Sequence, residues 1–95
     1  YSLYRKGLTL HELERYDEAI ACFDEALWLD PEDADVVFYK GDTLHELKRY
    51  DEAIACYNEA LRLDPEFSEA HHNKGVTLHE LKRYSEINEK DNVIK

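Results

Sequence analysis

The feature that most restricts how this chain can fold is an internal repeat of 34 residues. The segment LHELERY at Leu10–Tyr16 returns as LHELKRY at Leu44–Tyr50 and again at Leu78–Tyr84. The glycines and prolines follow the same step: Gly7, Gly41, Gly75, Pro31 and Pro65. A period of about 20 to 50 residues is typical of proteins built from stacked, similar units. We therefore predict that residues 1–95 form a single array of three units, at 1–33, 34–67 and 68–95.

Each unit carries the apolar pattern of two α-helices separated by a break, which predicts an all-α fold. In the second unit, one apolar stripe runs from Val37 to Leu47 at helical spacing, and the next runs from Ala53 to Leu61. Asp51 follows the break and is predicted to cap the second helix by accepting its free backbone N–H groups. Because proline disfavours helical geometry in the residue before it, each second helix is predicted to end at an Asp-Pro pair.

Small residues on these stripes predict close packing. Gly41, Ala53 and Ala60 let helix backbones approach one another, while Tyr50 and Tyr57 fill the wider gaps. A large side chain at Gly41 is therefore predicted to push the helices apart. A single helix pair cannot bury its own apolar faces, so neighbouring units must cover one another.

The third unit loses the pattern after Tyr84. Ser85 and Glu86 predict the start of a second helix, but Ile87 replaces the alanine of the other units and Asp91 replaces the aromatic residue. The sequence leaves two interpretations of this degenerate helix open, a polar cap of the array and a frayed end.

Composition restricts the classes of partner. The net charge of −10 repels the phosphates of nucleic acids and of anionic membranes, and no apolar run approaches the roughly 20 residues that cross a bilayer. The charge suits a basic or mixed-charge protein partner, although acidity is also a common means of staying soluble. Cys22 and Cys56 are predicted to be partly buried, unbridged thiols, and the chain is predicted to be cytoplasmic.

Together these residues resemble the tetratricopeptide repeat family, whose 34-residue motif has small residues, an aromatic residue and a proline at set places. The matching positions, with their counterparts 34 residues on, are Gly7, Tyr16, Ala19, Phe23, Ala26 and Pro31. The resemblance covers nearly the whole chain. It implies a right-handed α-α superhelix, or solenoid, of antiparallel helix pairs whose first helices line a concave groove. It also implies a non-enzymatic scaffold that binds a peptide or a partner segment there.

The resemblance also indicates which side chains face the groove. The predicted peptide-binding residues are Tyr4, Leu8, His11, Glu12, Asp35, Phe38, Asp42, His45, Glu46, Glu69, His72, Val76, His79 and Glu80. They mix aromatic rings, histidines and carboxylates, which favours a basic or aromatic-containing segment of a partner protein as the ligand. The alternative is that these residues form a solvated helix face without a ligand. In one subclass of the family, Lys, Arg and Asn clamp a terminal carboxylate. Only Asn73 fits that pattern here, which disfavours an acidic chaperone tail.

The sequence predicts neither catalysis nor a bound cofactor. No nucleophile stands beside a base, and there is no glycine-rich phosphate loop. The histidines His11, His45 and His79 are the strongest metal candidates. Equivalent positions on neighbouring first helices lie about 10 Å apart, however, which is too far for ligands of one ion. We predict no metal site.

Self-association by end-to-end stacking is the alternative function. The chain begins inside a helical pattern, so we expect it to be a piece of a longer protein, and Leu3 and Tyr4 lack a preceding helix to cover them. Trp28 stands where the next unit has Arg62. It is predicted to mark a contact surface or, preferably, to cover the end of the array.

Overall fold

The computed structural model describes the backbone of residues 2–94 and the side chains of residues 2–87. This part of the chain is a row of five α-helices without β-strands: α1 Leu3–Glu12, α2 Tyr16–Leu29, α3 Ala34–Glu46, α4 Tyr50–Leu63 and α5 Ser68–Ile94. Each helix packs chiefly on its neighbours in sequence. The predicted all-α repeat fold is confirmed. Within the described residues, no helix combines the length and the apolar character that crossing a bilayer requires.

The repeated sequence forms the same tight turn twice. Glu14 and Lys48, at equivalent places between the helices of a pair, both have a positive φ of 61°. The backbone N–H groups of Arg15 and Arg49 then donate back to carbonyl oxygens five residues earlier, at 2.9 Å. These bonds satisfy carbonyl groups that the end of the helix leaves without a partner.

The start of α4 differs from the prediction. The helix begins at Tyr50, so Asp51 lies inside its first turn, and the capping position belongs to Arg49, which makes no side-chain cap bond. The prediction that Asp51 caps this helix is wrong. The guanidinium group of Arg49 instead donates to Glu52 at 2.8 Å, and both carboxylates favour the helix through its dipole.

The glycines of α1 and α3 make room for an aromatic ring of the following helix. A Cβ atom at Gly41 would lie 2.9 Å from Cε1 of Tyr57 and 3.1 Å from Cβ of Cys56. At Gly7, it would lie 2.5 Å from Cε1 of Phe23. Both rings are buried. The predicted close packing at Gly41 is confirmed, and its neighbour is the ring of Tyr57, which fills the space beside the glycine.

The third unit is not a helix pair. α5 continues through Leu78–Tyr84 and Ser85, although the identical sequence at Leu44–Tyr50 contains a turn. The prediction of a separate second helix from Ser85 is therefore wrong. Continuation of α5 keeps each backbone N–H and C=O group paired within the helix, whereas a turn leaves groups that need other partners.

Burial explains why the same sequence turns in one place and not in the other. In the second unit, Ala53, Tyr57 and Ala60 of α4 are all at most 1% exposed, and their burial favours the returning helix. The third unit has Ile87 and Asp91 at the first two of these positions. Without the small residue and the ring, a returning helix has little to bury against α5.

One side of α5 is consequently uncovered. Among the described residues, nothing lies within 4 Å of a Cβ built at Gly75. Leu78 is 46% exposed, whereas its counterpart Leu44 is 3% exposed. We call the surface of Gly75 and Leu78 the open face of α5.

Elsewhere in the fold, the state of the cysteines agrees with the sequence prediction, and the position of the tryptophan side chain does not. Cys22 and Cys56 are both free thiols, one buried and one half-buried, and burial raises the pKa of Cys56. Trp28 is 84% exposed near the end of α2. Its indole lies in solvent, so the prediction that it covers the end of the array is wrong.

Candidate functional site

Several predicted groove residues meet around one polar cavity between the first helices. Its volume is about 240 Å³. We call it the central cavity, and its lining residues are His11, Asp42, His45, Glu46, Tyr57, Asn73, Val76 and Thr77. Tyr57, Asn73 and Thr77 were not among the predicted groove residues. The cavity thus combines side chains of α1, α3, α4 and α5.

Asp42 holds the middle of this cavity together. Its Oδ1 accepts a hydrogen bond from the Tyr57 hydroxyl at 2.5 Å and another from Asn73 Nδ2 at 2.9 Å. Burial raises the pKa of Tyr57, and the neighbouring carboxylate raises it further, so the phenol remains a neutral donor. Among the described side chains, both bonds to Asp42 reach the same oxygen. Oδ2 is therefore left as an acceptor for a ligand.

Each of two histidines is fixed by a threonine of the next unit. Nδ1 of His11 lies 2.8 Å from Oγ1 of Thr43, and Nδ1 of His45 lies 2.8 Å from Oγ1 of Thr77. Both threonines are fully buried. The two imidazole rings are therefore oriented by the stacking of the units, whether or not a ligand is bound.

The hydroxyl of Thr43 determines which ring nitrogen of His11 carries the proton. Thr43 donates its hydroxyl hydrogen to the carbonyl oxygen of Tyr39 at 2.8 Å, so it offers His11 only a lone pair. Nδ1 of His11 must then be the donor, and Nε2 of the neutral ring is an acceptor. His45 makes the equivalent contact with Thr77 through Nδ1, so its Nε2 is likewise the ring nitrogen that the threonine does not engage.

A second, shallower depression of about 350 Å³ adjoins the central cavity. Its lining residues are Phe38, Tyr39, Asp42, Ser68, Glu69, His72 and Asn73. Phe38 borders it but is only 2% exposed, because its ring packs against Phe67 and Tyr57 with centroids 4.8 and 5.8 Å away. The prediction that Phe38 presents its side chain to a peptide is therefore wrong. Phe38 belongs to the core.

The remaining predicted residues line neither cavity: Tyr4, Leu8, Glu12, Asp35, His79 and Glu80. Tyr4 packs against Tyr39 with centroids 5.8 Å apart, and burial raises its pKa to about 12. Leu8 packs against the core of the first unit. Glu80 forms an ion pair with Arg83 at 3.5 Å, and His79 is exposed.

One sequence signal pointed to the missed threonines. A threonine stands two residues before each repeated histidine, at Thr9, Thr43 and Thr77. The hydrogen bond joins the histidine of one unit to the threonine of the next, 32 residues on. Periodicity identifies such a pair only when positions in successive units are compared, because the two residues are not neighbours within either unit.

The charged side chains that line the central cavity are acidic. Its lining holds the carboxylates of Asp42 and Glu46, and neither Lys nor Arg. Despite these carboxylates and two histidines, no group of three His, Cys, Asp or Glu side chains in the described part of the chain could hold a metal ion. The arrangement is suited to binding a positively charged group of a ligand, rather than an anion.

Solved structures with a similar fold include two TPR domains in complexes and MamA. The chain is 25% identical to the first TPR domain of Spaghetti (RPAP3) bound to the HSP90 peptide SRMEEVD, and 26% identical to the TPR2B domain of yeast Sti1 in a pHsp70 complex. Each match has a TM-score of 0.82 and covers 88% of this chain and 67% of the other. MamA is 28% identical with a TM-score of 0.79, over 88% of this chain and 50% of that chain.

Sequence comparison gives the same assignment. A comparison with curated proteins finds no match. Two sequence profiles, both described as tetratricopeptide repeat, match residues 4–66 and 56–87. The first alone covers more than half of the chain and spans nearly all of two helix pairs. With its 34-residue period and its paired helices, this chain belongs to the tetratricopeptide repeat family.

Proposed function

We propose that this chain is a non-enzymatic protein-interaction module that binds a segment of a partner protein in the groove formed by α1, α3 and α5. The central cavity carries the proposal, because its polar groups are already oriented by bonds between the units. A pre-oriented site loses less conformational entropy when a ligand binds. The peptide complexes of RPAP3 and Sti1 support the same class of function.

We propose a basic or aromatic-containing segment as the partner. The HSP90 peptide SRMEEVD bound by RPAP3 contains three acidic residues, and such a peptide would meet Asp42 and Glu46 in this groove. Like charges across an interface weaken binding and slow association. Tyr39 borders the shallower depression and gives an aromatic side chain a surface to pack on.

Selection from a random peptide library tests this proposal. We expect the selected peptides to be enriched in Lys and Arg, and to lose binding to the Val76→Arg variant. Val76 is 42% exposed and lines the central cavity, so the substitution fills the cavity and adds a repelling charge without disturbing the core. Leu13→Arg is the matched control, because Leu13 is 60% exposed and lies outside both cavities. Peptides that bind both variants equally well would place the interaction outside the groove.

The open face of α5 supports a second candidate function, self-association between copies of the chain. Gly75 and Leu78 leave an apolar strip uncovered, where the second unit has α4. Apolar surface of this kind favours association because contact removes it from water. The two candidate functions predict opposite dependence on salt concentration.

A further inference from the structure

We propose that the central cavity recognises one basic side chain of the bound segment, an arginine or a lysine, through its carboxylates and its other hydrogen-bond acceptors. This inference rests on the proposed function and adds to it the chemistry of the residue recognised. It follows from the direction of each hydrogen bond around the cavity, as well as from charge.

The cavity offers acceptors from two helices. His11, whose Nε2 is an acceptor, comes from α1, and α3 contributes the carboxylates of Asp42 and Glu46 and the ring of His45. Neither Nε2 atom makes a hydrogen bond within the described part of the chain, because each threonine bond involves Nδ1. Among the donors that line the cavity, the hydroxyl of Tyr57 and one N–H of Asn73 are already used on Asp42, which leaves the second N–H of Asn73.

This pattern selects a ligand that has several N–H donors and no acceptor. Ammonium and guanidinium groups meet that description, since neither has an acceptor lone pair. A carboxylate or phosphate would present acceptors to acceptors and negative charge to Asp42 and Glu46. A neutral amide would bring N–H donors without a positive charge, so Asp42 and Glu46 would lack a charged partner. The side chain of Val76, which α5 contributes to the lining, can pack against the methylene groups of a lysine or arginine.

The cavity forms once in the described structure, so it sets a register for the bound segment. Position 42 holds a carboxylate, whereas the equivalent positions in the other units hold Leu8 and Val76. Leu8 packs into the core of the first unit. One basic side chain is therefore recognised, at one place along the groove.

Small amides of single residues test this inference directly. The probes are N-acetyl-arginine amide, N-acetyl-lysine amide and N-acetyl-citrulline amide, and the readout is the ring proton signals of His11 and His45 in NMR titrations at one neutral pH with a chelator present. We expect saturable shifts with the arginine and lysine probes. The citrulline probe has nearly the shape of arginine without its charge, so its affinity should be lower by about tenfold or more, as loss of a charged hydrogen bond implies.

A pair of glutamine variants supplies the matched control. Glu46→Gln removes an exposed carboxylate of the cavity and should weaken the arginine probe about three- to tenfold, in keeping with the loss of one charge pair. Glu12→Gln makes the same change at the equivalent exposed position of α1, outside the cavity, and should leave affinity unchanged. Equal binding of citrulline and arginine, or equal effects of the two variants, would overturn the proposal.

The outcome separates this inference from the proposed function. Arginine that binds in the cavity, while library selection returns no peptide, would support the pocket and contradict the peptide-binding module. Selected peptides that depend on Val76 but carry no basic residue would support the module and contradict the pocket.

Discussion

At the scale of single residues, two of the exchanges between the first and second units are coupled. Leu8 and Phe23 of the first unit correspond to Asp42 and Tyr57 of the second. The phenol donates to the carboxylate at 2.5 Å, and the ring of Tyr57 is 1% exposed. Without Asp42 the buried phenol would lack its acceptor, and without Tyr57 the carboxylate would keep only its bond from Asn73, so the two belong together. The residues that give the central cavity its polarity are thus also residues that hold α3 to α4.

A double-mutant cycle tests this coupling. We expect Asp42→Leu and Tyr57→Phe each to lower the free energy of unfolding by about 1–2 kcal/mol, because each removes the hydrogen bond between the two side chains and leaves the other polar group in place. The double variant recreates the pairing of Leu8 with Phe23. Its free energy of unfolding, measured by urea denaturation, should therefore fall by less than the two single variants' decreases added together. The difference should be about 1–2 kcal/mol. Strict additivity would show that the hydrogen bond contributes nothing to stability.

The glycines provide a second residue-scale prediction with a built-in control. Gly41→Ala should lower the free energy of unfolding by about 1–2 kcal/mol, because the new Cβ meets the buried ring of Tyr57 and this overpacking outweighs the gain in helix propensity. Gly75→Ala adds the same methyl group to a helix position with nothing within 4 Å among the described residues. It should raise stability by about 0.5–1 kcal/mol. Urea denaturation of both variants measures the difference, and a change of the same sign in both would contradict the packing argument.

At the scale of helices, one sequence adopts two structures. LHELKRY ends α3 and forms a turn at Leu44–Tyr50, yet it lies inside α5 at Leu78–Tyr84. Local propensity is the same in both places, so the difference comes from the residues on the C-terminal side of each copy. Ala53 and Tyr57 favour a return onto α3, and Ile87 does not provide equivalent packing.

The lysine of this segment gives a prediction for each structure. Lys48 has a positive φ of 61°, which costs about 1 kcal/mol for a residue with a Cβ, so Lys48→Gly should raise the free energy of unfolding by about 0.5–1 kcal/mol. Lys82 is its counterpart inside α5. Lys82→Gly should lower the helical content and cost about 1 kcal/mol. Circular dichroism and urea denaturation report both effects, and parallel changes in the two variants would mean that α5 contains a turn there.

The two copies of LHELKRY also show why part of the structure was predictable from sequence and part was not. The helix pairs of the first two units were predictable from apolar periodicity, because the apolar positions of that pattern are the ones that the structure buries. The continuous α5 depends on the loss of burial at Ile87, and a motif match at Tyr84 does not reveal it. In the candidate site, periodicity indicated that His11 and His45 recur. It did not indicate the bonds of Thr43 and Thr77, because those bonds cross between units.

At the scale of the whole molecule, the net charge of −10 acts oppositely on the two candidate functions. A basic peptide is attracted by the field of the protein as well as by its contacts in the groove. A second copy of the chain carries the same charge, so two copies repel each other unless salt screens them. The apolar contact that the open face of α5 would make is not weakened by such screening.

Salt concentration therefore distinguishes the two functions in one set of measurements. Raising the salt from about 0.1 to 1 M shortens the screening length from about 10 to 3 Å. We expect the affinity of a selected basic peptide to fall, as measured by fluorescence anisotropy. Any self-association, measured as mass by light scattering over a range of protein concentrations, should rise. Leu78→Glu should abolish that rise, whereas Leu13→Glu, which adds the same charge at an exposed position outside the open face, should not. The two variants should have the same small effect on peptide affinity, because they change the net charge equally. A mass that falls with salt would instead mean that the copies associate through opposite charges, because an apolar contact cannot give that sign.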